Sequence, residues 1–247
     1  MRRFAQAIAA PESLPDGLPA GLAAALTAAP DRYNIGKGGA AIVLARCADG
    51  SLSAAEMIWG LVPRWSRQPS TPYTTVTARL DRAPKSRIYA QAWQQRPCVL
   101  AMTGYYKRDR QRRPPWPMFV QRRDGLALLV AGLWEHRGGA EGAQLDSFTI
   151  LTGPNAAIPS PLTPDGPVFV EPLAALAWLA GRITTPAALA ASASTPGLEA
   201  YPVSRATRDP TRDHYTLLEP VNPDDVGSTG ATDAESDDVD PDADALE

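Results

Sequence analysis

A chain of 247 residues, 44% hydrophobic and 7% aromatic, can bury one sizeable core, and the best expectation is a single globular domain with an appendage. No apolar run approaches the roughly 18 residues of a membrane span, the first residues lack the apolar core of a secretory signal, and Cys47, Cys98, His136 and His214 are the only cysteines and histidines, which argues against a disulfide framework or a histidine-rich metal centre. The net charge of −3 is divided: residues 223–247 hold ten acidic residues and no basic one, leaving 24 basic against 17 acidic residues in 1–222, a balance of +7.

In chain order, Met1 to Ile8 reads as a short strand, and Pro19 to Ala28 as an alanine-rich helix ended by Pro30. A glycine-rich turn, Gly36-Lys37-Gly38-Gly39, lacks the spacing of a phosphate-cradling loop. Ala41 to Cys47 is a strand that turns at Asp49-Gly50 into Met57-Ile58-Trp59-Gly60-Leu61-Val62-Pro63-Arg64-Trp65, read as a strand stopped by Gly60 and Pro63 with Trp59, Arg64 and Trp65 at its end. Thr75 to Arg82 is a short alternating strand with Arg79 on its polar face. Flat aromatic surface beside fixed positive charge suits a single-stranded nucleic acid, whose bases stack and whose phosphates need neutralising. The competing reading makes Trp59 and Trp65 core anchors.

Lys85 to Trp93 is a helix candidate. Strands follow at Cys98 to Lys107, Trp116 to Gln121, Leu126 to Arg137, Phe148 to Thr152 and Pro167 to Val170, with turns at Arg113-Pro114-Pro115, Asp124-Gly125, Gly138-Gly139 and Pro164-Asp165-Gly166. Helices at Leu173 to Gly181 and Pro186 to Ala191 and a last strand at Tyr201 to Ser204 complete the body. The pattern predicts an α+β domain over residues 1–222, built on a mostly antiparallel, curved or closed sheet with peripheral helices. Lys107, Arg108, Arg110, Arg112, Arg113, Arg122 and Arg123, interrupted only by Asp109, are the electrostatic footprint expected of a polyanion site. Residues 223–247, poor in apolar side chains, are expected to be a disordered acidic tail.

Trp59-Gly60-Leu61-Val62-Pro63-Arg64-Trp65, Ala78-Arg79, Gly104-Tyr105-Tyr106, Ala131-Gly132-Leu133-Trp134-Glu135, Ser147-Phe148-Thr149-Ile150-Leu151-Thr152 with Asn155-Ala156, and Tyr201-Pro202-Val203-Ser204 stand in the order and spacing of the SRAP family. These are the SOS response-associated peptidases, or abasic-site processing proteins, and the chain resembles them from about Met1 to Pro220. The resemblance implies a mostly antiparallel barrel with a positively charged groove for single-stranded DNA. It also implies an N-terminal cysteine whose amine and thiol condense with the aldehyde of an abasic site into a thiazolidine, supported by an asparagine, a glutamate and a histidine.

This chain departs from that pattern. Matching Arg3-Phe4 to the family's Arg-aromatic pair puts Met1 at the cysteine's place and Arg2 at the glycine's, and Arg2 should block removal of Met1. The asparagine before Ala78-Arg79 is Thr77, the glutamate after Gly104-Tyr105-Tyr106 is Lys107, and the histidine loop is Pro161 to Gly166, with Thr163 and no histidine. Arg79, at a family position that contacts DNA phosphate, is kept, as are Trp59 and Trp65.

The reading that follows is a pseudoenzyme that binds single-stranded or abasic-site DNA noncovalently, through Trp59, Arg64, Trp65, Arg79 and the Lys107 to Arg113 cluster, with no metal or cofactor. Such a protein would be cytoplasmic, or associated with the bacterial nucleoid. A second reading keeps an enzyme, with the Met1 amine or Lys107 forming a Schiff base on the abasic aldehyde. A third is a protein-interaction module whose basic groove receives the acidic tail or a partner's acidic segment.

Overall fold

In the computed structural model, residues 1–68, 73–138 and 144–224 are described, with twelve strands and four α-helices among them. The expected Gly138-Gly139 turn lies partly outside the described residues, and the acidic tail lies outside them beyond Asp224.

Five strands close on themselves. β3 (Ala40–Arg46) pairs antiparallel with β4 (Leu52–Trp59) and β6 (Pro97–Met102), β6 with β9 (Leu128–Gly138), and β9 with β10 (Gln144–Pro154). β10 then meets β4 in parallel, with Ser147 opposite Ile58, so the ring leaves no open edge between its members. Beyond the ring β10 continues, taking β5 (Thr77–Arg79) on one edge and β11 (Asp165–Pro167) on the other; Thr152 is opposite both Arg79 and Pro167.

A second, antiparallel sheet has the order β12 (Leu198–Pro202), β8 (Trp116–Arg122), β7 (Gly104–Asp109), β1 (Arg3–Gln6) and β2 (Arg32–Ile35). The period-two alternation of its strands turns Phe4, Tyr105 and Val120 onto Val43, Leu100, Val130 and Phe148 in a shared core. The alternate residues Leu44, Val99, Leu129, Leu133 and Leu151 are covered instead by α1 (Ala20–Thr27), α2 (Ala90–Gln95), α3 (Pro172–Leu179) and α4 (Pro186–Ala191). The architecture is the α+β one that the sequence predicts.

Several boundaries differ from the sequence reading, each for a local reason. The expected single strand from Cys98 to Lys107 is two, because the chain leaves the ring at Thr103 and enters the second sheet at Gly104. A Cβ at Gly104 would lie 2.5 Å from the Phe119 ring and the Val120 carbonyl, so only glycine lets β7 and β8 meet there. β4 ends at Trp59, at the stop expected of Gly60, which takes φ +118° and redirects the chain, but it begins at Leu52, ahead of the expected Met57. The Lys85 to Trp93 helix is a 3-10 turn at Ala83–Lys85 followed by α2.

One buried polar group joins the two sheets. Where β3 and β6 splay apart, the Gln6 carboxamide donates to the carbonyls of Ile42 and Ala101 at 2.9 and 2.8 Å and accepts from the Ile42 amide at 2.7 Å, replacing the missing rungs.

Candidate functional site

β1 and β7 run antiparallel with Arg3 opposite Tyr106, so the residues ahead of Arg3 head toward Lys107 and Arg108. Met1 is partly buried against the core. Thr77 and Arg79 lie on one face of β5, while Ala78 between them is buried. The loop leading into β11 supplies the third side. Asn155 fixes that loop: its amide donates to the Pro164 carbonyl at 2.8 Å, and its side chain donates to Pro167 O and accepts from the Ala157 amide, both at 3.0 Å.

The rim so formed is tied to itself by charge. Lys107 Nζ donates to the carbonyls of Thr163 at 2.9 Å and Asp165 at 2.6 Å. The Asp165 carboxylate turns the other way and accepts from Arg79 Nη1 at 3.0 Å, while Arg79 Nε lies 3.5 Å from Asp81. Burial pulls the Lys107 ammonium below its ordinary value; the Asp165 charge works against that shift and Arg110 with it. Lys107 and Thr163, two positions where the family resemblance implies functional residues of other types, are therefore in direct contact. Asp165, which the sequence reading treated only as part of a turn, is the link between them and Arg79. No sequence spacing announces it, because its partners lie 58 and 86 residues away in the chain.

Trp59 corrects the sequence-based site. It is fully buried, with its indole Nε1 donating to Val76 O at 2.8 Å and its ring edge-on to Phe4 at 4.9 Å between centroids. It anchors β5 to the ring and has no face to offer a base. Trp65 differs: it is 48% exposed, with the Arg87 guanidinium 5.1 Å from its ring centroid. Its loop is held at many points. Gly60 N donates to Phe148 O at 2.9 Å, Leu61 N to Thr75 O at 3.1 Å, Val62 N to Ser147 Oγ at 2.9 Å, and Ser66 N to Pro63 O at 2.8 Å. Arg137 adds bonds to the carbonyls of Ser66 and Arg67 at 2.9 and 2.8 Å. Arg64, Arg67, Arg82, Lys85 and Arg87 are exposed along the same two segments.

Behind the Trp65 loop a buried ion pair joins Arg96 Nη1 and Glu135 Oε1 at 2.6 Å, with Glu135 only 2% exposed. Burial holds the Glu135 carboxyl above its ordinary value, a shift that Arg96, the His136 amide and Arg64 reduce. His136 Nδ1 lies 2.6 Å from Asp146 across β9 and β10.

The basic cluster predicted from Lys107 to Arg123 is two groups in space. Asp109 opposite Trp116 and Gly104 opposite Gln121 make β7 and β8 a hairpin, with Arg108, Arg110, Arg112 and Arg113 at its tip and Arg122 and Arg123 at its far end. Asp109 is buried and organises the tip, accepting from the Gln111 amide at 2.9 Å and lying 3.8 Å from Arg112 Nε. Arg113 donates to the carbonyls of Arg110 and Arg112. Arg122 is taken up by Asp124 at 2.7 Å and Glu171 at 3.6 Å, and Arg123 by Leu198 O at 3.0 Å.

The fold, a closed five-stranded ring backed by a second sheet, is one that the chain shares with solved proteins. A protein from Bacteroides thetaiotaomicron shares the fold with a TM-score of 0.70 at 16% identity, over 89% of this chain and all of that one. A phage-related protein of Bordetella bronchiseptica does so at 0.60 and 23% identity, over 83% and 95%. The model of the SOS response associated peptidase (SRAP) family matches residues 2–210, and the chain belongs to that family. Relatives include an abasic site processing protein of Saccharomyces cerevisiae, 34% identical over 98 residues that make up 39% of this chain and 26% of the yeast protein. The abasic site processing protein YoaM of Bacillus subtilis is 23% identical over 185 residues, 73% of this chain and 82% of its own length.

Proposed function

We propose that this SRAP protein serves a DNA-damage response by binding single-stranded or abasic-site DNA without forming a covalent bond. The observation that carries the reading is the Lys107–Asp165–Arg79 network. Where the family's chemistry calls for a carboxylate and an imidazole beside a terminal thiol, this chain has an ammonium bonded to two carbonyls and a carboxylate bonded to a guanidinium. Those bonds make the rim a brace. An ammonium spending two of its three protons on carbonyls is a poor nucleophile, because it must lose a proton and both bonds before attacking an aldehyde.

Binding is left to the Trp65 loop, with the exposed arginines at the tip of the β7–β8 hairpin as a second edge that neutralises phosphates. An exposed indole among Arg64, Arg67 and Arg87 offers a stacking face and phosphate neutralisation together, and the loop's many backbone bonds mean that little ordering is needed when a strand arrives.

The test is an oligonucleotide with one abasic site, incubated with the protein with and without borohydride and run on native and denaturing gels. The expected result is a native shift that vanishes on denaturation in every lane and weakens steeply with salt. A band that survives denaturation only after borohydride would assign a Schiff base to Lys107 or the Met1 amine and overturn the noncovalent reading. No shift at low salt would remove the DNA reading itself.

A further inference from the structure

The last described residues of the chain are steered onto the hairpin tip. Val203 bridges Pro220, and the Val221 amide donates to Pro202 O at 2.9 Å, so residues 220–221 lie along the end of β12. Val203 in turn donates to Pro117 O at 3.1 Å, and Pro117 is opposite Arg108 on β7. The Asn222 side chain then accepts from the Asp224 amide at 3.2 Å, and the Asp224 carboxylate lies 3.3 Å from Arg112 Nη1. Asp224 is thus the first acidic residue of the tail and already meets the cationic tip. After it come 23 residues with nine carboxylates and no basic side chain.

We infer that residues 225–247 dock in cis on the tip of the β7–β8 hairpin, over Arg108, Arg110, Arg112 and Arg113, as an internal polyanion that competes with nucleic acid for that surface. The docking stands on charge and tethering alone; the competition rests on the DNA reading proposed above. Single exposed ion pairs are weak, but here the partner is covalently held. For 23 residues of a composition expected to be disordered the root-mean-square span is roughly 25 Å, which keeps the carboxylates around the tip at about millimolar effective concentration. A free strand must reach a comparable concentration of phosphates to displace them.

The position of the tip gives the contact a consequence for the neighbouring rim. Lys107 and the Arg110 charge that lowers its ammonium's proton affinity belong to the same β-strand and turn, so carboxylates resting on the tip screen the rim as well. The Trp65 loop, by contrast, is built from different segments, and Asp224 anchors the start of the tail at Arg112 on the hairpin tip. The tail therefore contests the cationic tip rather than the Trp65 indole.

The experiment uses the full chain beside a full-length variant in which the nine carboxylates after Asp224 are replaced by their amides (D225N, D233N, E235Q, D237N, D238N, D240N, D242N, D244N and E247Q). Hydrogen exchange of peptides covering residues 107–118, with no DNA present, reads docking directly. At low salt the variant should exchange several-fold faster in that hairpin than the wild type, and the difference should vanish near 1 M salt, where the screening length falls to about 3 Å. Equal exchange at low salt overturns the docking.

The same two proteins are then titrated with a fluorescent oligothymidylate. Binding about tenfold or more tighter to the variant at low salt is the expected mark of competition. Faster exchange with equal, measurable binding by both proteins overturns the competition while the docking stands. Faster exchange with no oligonucleotide bound by either leaves the docking supported, overturns the competition and removes the DNA reading.

Discussion

The rim beneath the N-terminal strand and the Trp65 loop lie in one protein and treat their polar groups in opposite ways. At the rim, Lys107, Asp165 and Arg79 spend their charges on one another and on backbone carbonyls. In the Trp65 loop the backbone is what is satisfied, by Phe148, Thr75, Ser147 and Arg137, while the indole and the arginines beside it face solvent. A rim whose charges satisfy each other gains rigidity and gives up reactivity. A loop whose backbone is fixed and whose side chains are exposed is prepared to bind.

Substitutions can break this contrast, and the largest effect is expected outside both regions. Trp59→Ala empties a fully buried site at the junction of β4, β5 and β1 and should cost about 3–5 kcal/mol in urea unfolding. Were Trp59 instead a base-stacking residue, the change would lower DNA affinity with little loss of stability. Next comes Lys107→Glu, which places there the residue type that the family resemblance implies. A carboxylate facing the carbonyls of Thr163 and Asp165 should cost about 2–3 kcal/mol, measured by the same unfolding, and should bring no covalent activity on abasic DNA. Stability equal to the wild type would show that the brace carries no weight.

Trp65→Ala should do the reverse, leaving the unfolding midpoint within the small range of surface substitutions. It should weaken single-strand binding by about 1–3 kcal/mol, the value of one stacked base, in a fluorescence titration. The smallest effect is a pH dependence. Because burial holds the Glu135 carboxyl above its ordinary value, the native state takes up that proton more readily than the unfolded chain does. Its contribution to stability is complete below the unfolded value of about 4.3 and is lost as pH rises through the higher native value. The stability of wild type relative to Glu135→Gln should therefore rise as the pH is lowered from 7 toward 4, followed by chemical denaturation at each pH.

How much of this was legible in the sequence depends on the range of the interaction. Period-two alternation and turn residues mark most strands, and α4 is placed at its observed bounds, since Thr185 caps it and Pro186 opens it. The bend at Thr103 was not legible, because it depends on the Phe119 ring and Val120 carbonyl crowding Gly104 from another strand. Among the site residues, the resemblance to the family aligned Lys107 and Thr163 at one locus, and they touch. Trp59 was misplaced because a tryptophan at a strand end looks the same in sequence whether its ring turns into the core or out of it. Asp165 and Arg87 were overlooked as partners because pairing with Arg79 and Trp65 is a property of the folded chain.

The Gln6 carboxamide that fills the gap between β3 and β6 has one further consequence. By clamping β1 two residues beyond Phe4, it makes Gln6 the zero mark of a ruler, against which everything ahead of Arg3 is measured. Residues inserted ahead of Arg3 lengthen the overhang by about 3.3 Å each and leave the register with Tyr106 untouched. The leading end is thus a graft point, where a reactive side chain can be carried forward stepwise past Lys107 while the pairing of Arg3 with Tyr106 holds.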